Sequence, residues 1–196
     1  DMSWREMLCQ KKFYGMCAML LCGGLSGMMV ISSASDMAQV EAGFSPAAAA
    51  LMVSVLSLFN AGGRASAGIL SDKLGRIGTL SLVFPISVAA LCALFFFGQD
   101  SMAVFAVSIA LVGACFGALM GIFPGFTADE FGQRNNTVNY GILFFGFALS
   151  GMLGPQVASW VMSGTGSYRS AFLIAAVVAL AGFALTFLHR RLAARS

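Results

Sequence analysis
Six long, mostly apolar stretches follow one another along this chain, at about 13–35, 47–70, 77–98, 102–127, 138–162 and 168–188. A helix that crosses a bilayer needs roughly 20 such residues. In lipid the backbone must satisfy its own hydrogen bonds, which makes runs of this length helical. The two-residue alternation of a membrane barrel strand is absent. The pattern therefore predicts an all-α, polytopic transmembrane six-helix bundle filling residues 1–196. Ser45 before Pro46 reads as a helix start, with serine at the N-cap and proline at the first helical position. Pro85, Pro124 and Pro155 fall inside runs, where neighbouring helices tolerate a kink. The connections are short, so consecutive helices are expected to be antiparallel neighbours. Two three-helix units of opposite orientation are expected from this topology, not from any likeness between the two halves of the sequence.

Composition strengthens the membrane reading. Hydrophobic residues make up 59% of the chain and charged ones 10%, with a mean hydropathy of +0.87. A soluble domain carries about 25% charged residues. The charges are also sorted. Arg5, Lys11, Lys12, Lys73, Arg76, Arg134, Arg190, Arg191 and Arg195 fall on one side of the six runs. The opposite connections, at about 36–46, 99–101 and 163–167, hold Asp36, Glu41 and Asp100, with Arg169 at their edge. By the positive-inside rule the basic side is cytoplasmic, which places both termini there. Trp4, Tyr14, Trp160 and Tyr168 lie near the expected interfaces, where amphipathic rings settle. No basic stripe is interleaved with aromatics, so nucleic acid is not an expected partner; membrane lipid is.

Candidate chemistry is sparse. Cys9, Cys17, Cys22, Cys92 and Cys115 show no metal-ligand or disulfide spacing and read as small hydrophobes. His189, beside Arg190 and Arg191, reads as part of a solvated tail. No metal, cofactor, hydrolytic or redox constellation is visible, so an enzyme is not expected. No spanning run contains an acidic residue, which leaves no candidate for a proton relay within the membrane. Gly113, Gly117, Gly121 and Gly125 recur every fourth residue and give the fourth helix a smooth face for close packing, with a hinge as the less favoured role. Gly23, Gly24, Ser26 and Gly27 look similar, and Ser32, Ser33 and Ser35 could line a polar path or bond back to their own helix.

The most specific stretch is NAGGRASAGILSDKLGR at 60–76. Gly68 would let another helix approach and Gly75 would permit a tight turn. Asp72 is placed to cap, or to sit against the positive N-terminus of, a neighbouring helix. Lys73 and Arg76 would hold the turn in the cytoplasm and could pair with acids. Arg64, inside the second run, is costly in lipid. It either snorkels to the headgroups or faces a wet cavity, where its planar fork would match a carboxylate. Asn60 lies one turn earlier on the same face.

The 60–76 stretch resembles the signature loop of the major facilitator superfamily. FYGMCAMLLCGGLSGMMVISSASDMAQ at 13–39, FNAGGRASAGILSDKLGR at 59–76 and NYGILFFGFALSGMLGP at 139–155 look like the oxalate/formate antiporter family within it. The resemblance covers nearly the whole chain. It implies the C-terminal half of a 12-helix major facilitator fold, with a missing N-terminal six-helix half as partner. It also implies a substrate-binding arginine at Arg64 and a second cation, a lysine, in the eleventh helix. The matching stretch here has no basic residue, and Phe147 falls about where that lysine would be. One cation suits a monocarboxylate such as pyruvate or formate better than oxalate. Tyr140, in the same helix, could offer a hydroxyl.

The function expected is a secondary transporter of small carboxylates working by alternating access in a cell membrane, the resemblance implying a bacterial inner membrane. The alternative class is a non-transporting six-helix membrane protein: a sensor, an assembly subunit or a truncated remnant. Asp1 in place of methionine reads as the start of a fragment or of an expression product.

Overall fold
The computed structural model describes residues 1–193. Arg195, counted above with the basic tail, lies outside the described residues. Among the described residues nine helices follow in order: α1 Trp4–Leu8, α2 Lys11–Ile31, α3 Ala34–Ala42, α4 Pro46–Leu74, α5 Arg76–Phe97, α6 Met102–Phe131, α7 Asn136–Leu143, α8 Phe145–Thr165 and α9 Arg169–Ala193. Among the described residues six segments are long and apolar enough to cross a bilayer: α2, α4, α5, α6, α7 with α8, and α9. The fold is all-α, as the hydropathy pattern predicts.

Local chemistry sets most ends. Ser45 accepts a hydrogen bond from Ala48 N, and Pro46 follows as the first residue of α4. Ser101 does the same for α6 through Val104 N. Gly75, at φ 77°, joins α4 to α5 in a single residue. An L-residue there would be strained, so glycine is what lets the two helices reverse so sharply. The expected fifth run is broken at Phe144 into α7 and α8.

Packing follows the small residues. α6 is the most buried span, touching α2, α4 and α5. A Cβ on Gly113 would lie 2.8 Å from the Leu56 carbonyl oxygen, and one on Gly121 would lie 2.6 Å from that of Arg64. Cβ atoms on Gly117 and Gly63 would collide with the Asn60 and Ala114 carbonyls. Backbone thus meets backbone along the whole α4–α6 crossing. Gly125 differs from its three predecessors, since its neighbour is the Arg76 guanidinium, not a helix backbone. On α2, Gly23 faces Leu119, Gly24 faces Ser150 and Gly27 faces Phe116.

The end that carries α1 and the last turn of α9 is held by two adjacent acids of α6. Asp129 accepts from Arg76 Nε at 2.9 Å. Glu130 pairs with Lys12 at 3.3 Å and with His189 Nε2 at 3.4 Å. Two expectations are corrected here. α6 continues past 127 to Phe131, so a helix that crosses the membrane does carry acids. His189 is 1% exposed, with its ring edge-on to Phe126, so it is no solvated tail. The reason is geometric: Ala175, Ala179, Gly182, Thr186 and His189 are all buried at helical spacing, and the stripe runs on through the last turn. Glu130→Ala is expected to cost about 1–2 kcal/mol in a reversible denaturation experiment in micelles, because interhelical polar contacts in membranes are individually modest. Glu130→Gln, which keeps an acceptor for His189, should cost less than half as much.

The opposite end departs from expectation as well. Residues 36–46 are not a plain loop: α2 stops at Ile31, Ser32 and Ser33 make a turn, and α3 follows. Ser32 is exposed, while Ser35 accepts from Gln39 Nε2. Glu41 and Tyr168, both expected at the surface, are 6% and 7% exposed. Trp4, Tyr14 and Trp160 are exposed, as residues of an interfacial belt would be.

Candidate functional site
Arg64 sits in α4 ten residues before its last residue, Leu74; its own backbone packs against Gly121 of α6, and the residue is exposed in this unit. Its Nε donates to Asn60 Oδ1 at 3.3 Å, an i,i+4 bond along the same helix face. That bond leaves the two terminal nitrogens of the guanidinium unengaged by Asn60. They form the forked edge that meets a carboxylate with two parallel hydrogen bonds.

The side chain opens onto a pocket of about 380 Å³ lined by Arg64, Met120, Thr137, Tyr140, Gly141, Phe144 and Phe147. Three spans build it. α4 brings the cation, α6 brings Met120, and α7 with the start of α8 brings the hydroxyls and the aromatic wall. Helical spacing explains the last group: 137, 140, 141 and 144 share one face of α7 and its cap. The rings adjoin in series, tilted to one another, with Tyr140 to Phe144 at 5.5 Å and Phe144 to Phe147 at 4.6 Å between centroids. Thus Asn60, Arg64 and Tyr140 come together, and Phe147 lies in the same lining.

Among the described residues Arg64 is the one basic residue in that lining, and no acid faces it there. The arrangement can hold a single small anion: a charged fork at one end, hydroxyls beside it, and an apolar wall closing the rest. Among the described residues no cluster of metal-ligating side chains occurs. Thr137 and Phe144 carry little sequence signal of their own. Their membership follows only from knowing that α7 faces α4 across α6.

The 68–76 stretch forms a separate assembly at the end of the bundle that carries the termini. Arg76 donates to Asp72 Oδ1 and Asp129 Oδ2, both at 2.9 Å, and also to Ser71 Oγ. Asp72 therefore pairs with Arg76 instead of capping a neighbouring helix. Lys73 is exposed. Gly68 has open space where a Cβ would be, so within this unit no helix approaches it. The network ties the α4–α5 turn to α6 and stands apart from the Arg64 pocket.

Residues 16–196 match the family model described as Major Facilitator Superfamily. Among curated proteins the chain is 34% identical, over 76% of its length, to the uncharacterized MFS-type transporter YhjX of Escherichia coli (strain K12), covering 37% of that protein. It is 26% identical to the oxalate:formate antiporter of Oxalobacter formigenes, over 98% of this chain and 46% of that one. It is 27% identical to monocarboxylate transporter 12 of Xenopus laevis, over 76% of this chain and 31% of that one. The chain thus spans less than half the length of these relatives. Its fold is also that of an in meso crystal structure of the POT family transporter PepTSo, with a TM-score of 0.80 at 15% identity, covering 92% of this chain and 37% of that one.

Proposed function
This chain belongs to the Major Facilitator Superfamily, and on that premise we propose that it is the C-terminal six-helix half of a secondary transporter for small carboxylates. The substrate sits in the Arg64 pocket, between this half and an N-terminal six-helix half, and the two halves rock around it. Arg64 supplies the positive charge, Asn60 orients its fork, and Tyr140 offers a hydroxyl. The Asp72–Arg76–Asp129 network is the fastening of the signature loop and takes no part in binding. The basic end faces the cytoplasm of a bacterial inner membrane, with both termini on that side.

One observation carries this reading: a lone guanidinium, oriented by Asn60, at the mouth of a pocket whose remaining walls are largely apolar. It supports a monocarboxylate such as formate or pyruvate over oxalate. Within this half, a second carboxylate would rest against Phe144, Phe147 and Met120 with no cation to meet it. Leaving a desolvated charge unpaired costs several kcal/mol.

Thermal stabilisation of the protein in detergent across a carboxylate series tests the proposal. Formate and pyruvate are expected to raise the melting temperature in a saturable way, and oxalate to raise it less at equal concentration. A stronger shift with oxalate would reverse the assignment of substrate class. No shift with any of the three would remove the carboxylate site.

A further inference from the structure
At the end of the bundle opposite the termini, one buried carboxylate holds three separate segments. Glu41, on α3, takes its donors from both of the other connections at that end. Oε1 accepts from Ser167 Oγ at 2.9 Å and from the backbone N–H of Tyr168, at the start of α9. Oε2 accepts from the side-chain amide of Gln99, between α5 and α6. None of the three donors is a cation. Arg169, next in sequence, turns away: its Nε donates to the Phe95 carbonyl at 3.0 Å and its guanidinium lies 4.9 Å over the Phe95 ring. The two carboxylate oxygens therefore meet neutral donors, one of them a backbone N–H at the N-terminal end of α9.

The segment that carries Glu41 is broken at both ends. Before α3, Ser33 leaves the helical region at φ −118°, ψ 16°. After it, Gly43 takes the left-handed conformation at φ 67°, with open space around the position of a Cβ. Between these two joints α3 is nine residues long. Its buried apolar residues are Ala34, Met37, Ala38 and Ala42, three of the small kind and one flexible. Phe44, just beyond, reaches the Phe105 ring at 5.9 Å. These residues seat α3 on the core, and the carboxylate is what ties it to the two other connections at this end.

We propose that α3 is a hinged cap over the end of the unit remote from the termini, latched by Glu41 to Gln99, Ser167 and Tyr168. Breaking three hydrogen bonds at one side chain releases the cap from the other two connections, and the two joints let it shift as a unit over the face of α4 on which it packs. The cap is distinct from the Arg64 pocket and stands or falls independently of it.

Hydrogen–deuterium exchange of the protein in lipid nanodiscs reads the latch directly, because the Tyr168 amide is itself one of the donors. In Glu41→Ala, amides in 34–42 and at 167–169 should exchange at least tenfold faster, while those in 112–123 of α6 keep their protection. Gln99→Leu should show the same pattern with a smaller increase. Unchanged protection of 34–42 in both variants would overturn the latch. A parallel rise across α6 would also overturn it, making Glu41 a general support of the fold. If Glu41→Ala does not insert, Gln99→Leu and Ser167→Ala decide between the same outcomes.

Discussion

Replacing Gly117 with leucine is expected to unfold or grossly loosen this six-helix unit, with a loss of more than about 3 kcal/mol in a reversible denaturation experiment. At this position a Cβ meets a backbone carbonyl, that of Asn60, inside contact distance. A crowded side chain can rotate aside; a carbonyl in the middle of a helix cannot. The two helices must then separate along their whole crossing, where Gly63, Gly113 and Gly121 make equivalent contacts. Overpacking a core costs roughly 1–3 kcal/mol even where side chains can adjust. Here the loss includes the close dispersion contacts that drive helix association in lipid, where no hydrophobic force favours helix over lipid tail. Gly117→Ala should already be destabilising. Gly62→Ala and Gly68→Ala, with nothing near the added methyl, should be neutral or gain a few tenths of a kcal/mol from helix propensity. If Gly117→Leu melts within about 1 kcal/mol of the parent, the backbone-to-backbone crossing of α4 and α6 is wrong.

The same contrast separates what the sequence discloses from what it hides. The six spans are legible because bilayer thickness imposes a length and an apolar content on each, and both are local properties. The Gly113–Gly121 face is legible because a four-residue spacing specifies a helix face without reference to the partner. Glu41 is illegible for the opposite reason. Its partners lie 58 and 126 residues away, and a lone glutamate in a short polar segment looks like any solvated loop residue. Asp129 and Glu130 lower the local hydropathy, so the run seems to stop before them, although the backbone has no reason to leave the helix until Gly132, at φ 96°. His189 is the intermediate case. Its arginine neighbours suggest a tail, yet the small-residue spacing of α9 extends to it and carried the signal. At the pocket, Arg64 is conspicuous because an arginine inside an apolar run is costly, whereas Thr137 and Phe144 acquire meaning only from the packing of α7.

That cost is what makes Arg64 the most informative residue to change. Arg64→Ala is expected to weaken formate or pyruvate binding by about 100-fold or more, measured by calorimetric titration of the protein in detergent. Hydrogen bonds to charged groups contribute about 1.5–3 kcal/mol each, so losing a forked pair removes at least about 3 kcal/mol. A tenfold change in affinity corresponds to about 1.4 kcal/mol. Arg64→Lys should fall between, about 10-fold weaker than the parent, because an ammonium keeps the charge but presents a point where the fork presented an edge. Asn60→Ala should weaken binding by a few-fold. It leaves the guanidinium in place and removes only the Nε bond that fixes its plane. The order Ala, Lys, Asn60→Ala, parent is the signature of an oriented fork. Snorkelling to the headgroups would give a different pattern: all three variants would bind as the parent does, and Arg64→Lys would be the least perturbed in stability. Arg64→Ala binding within threefold of the parent would take the guanidinium out of the site altogether.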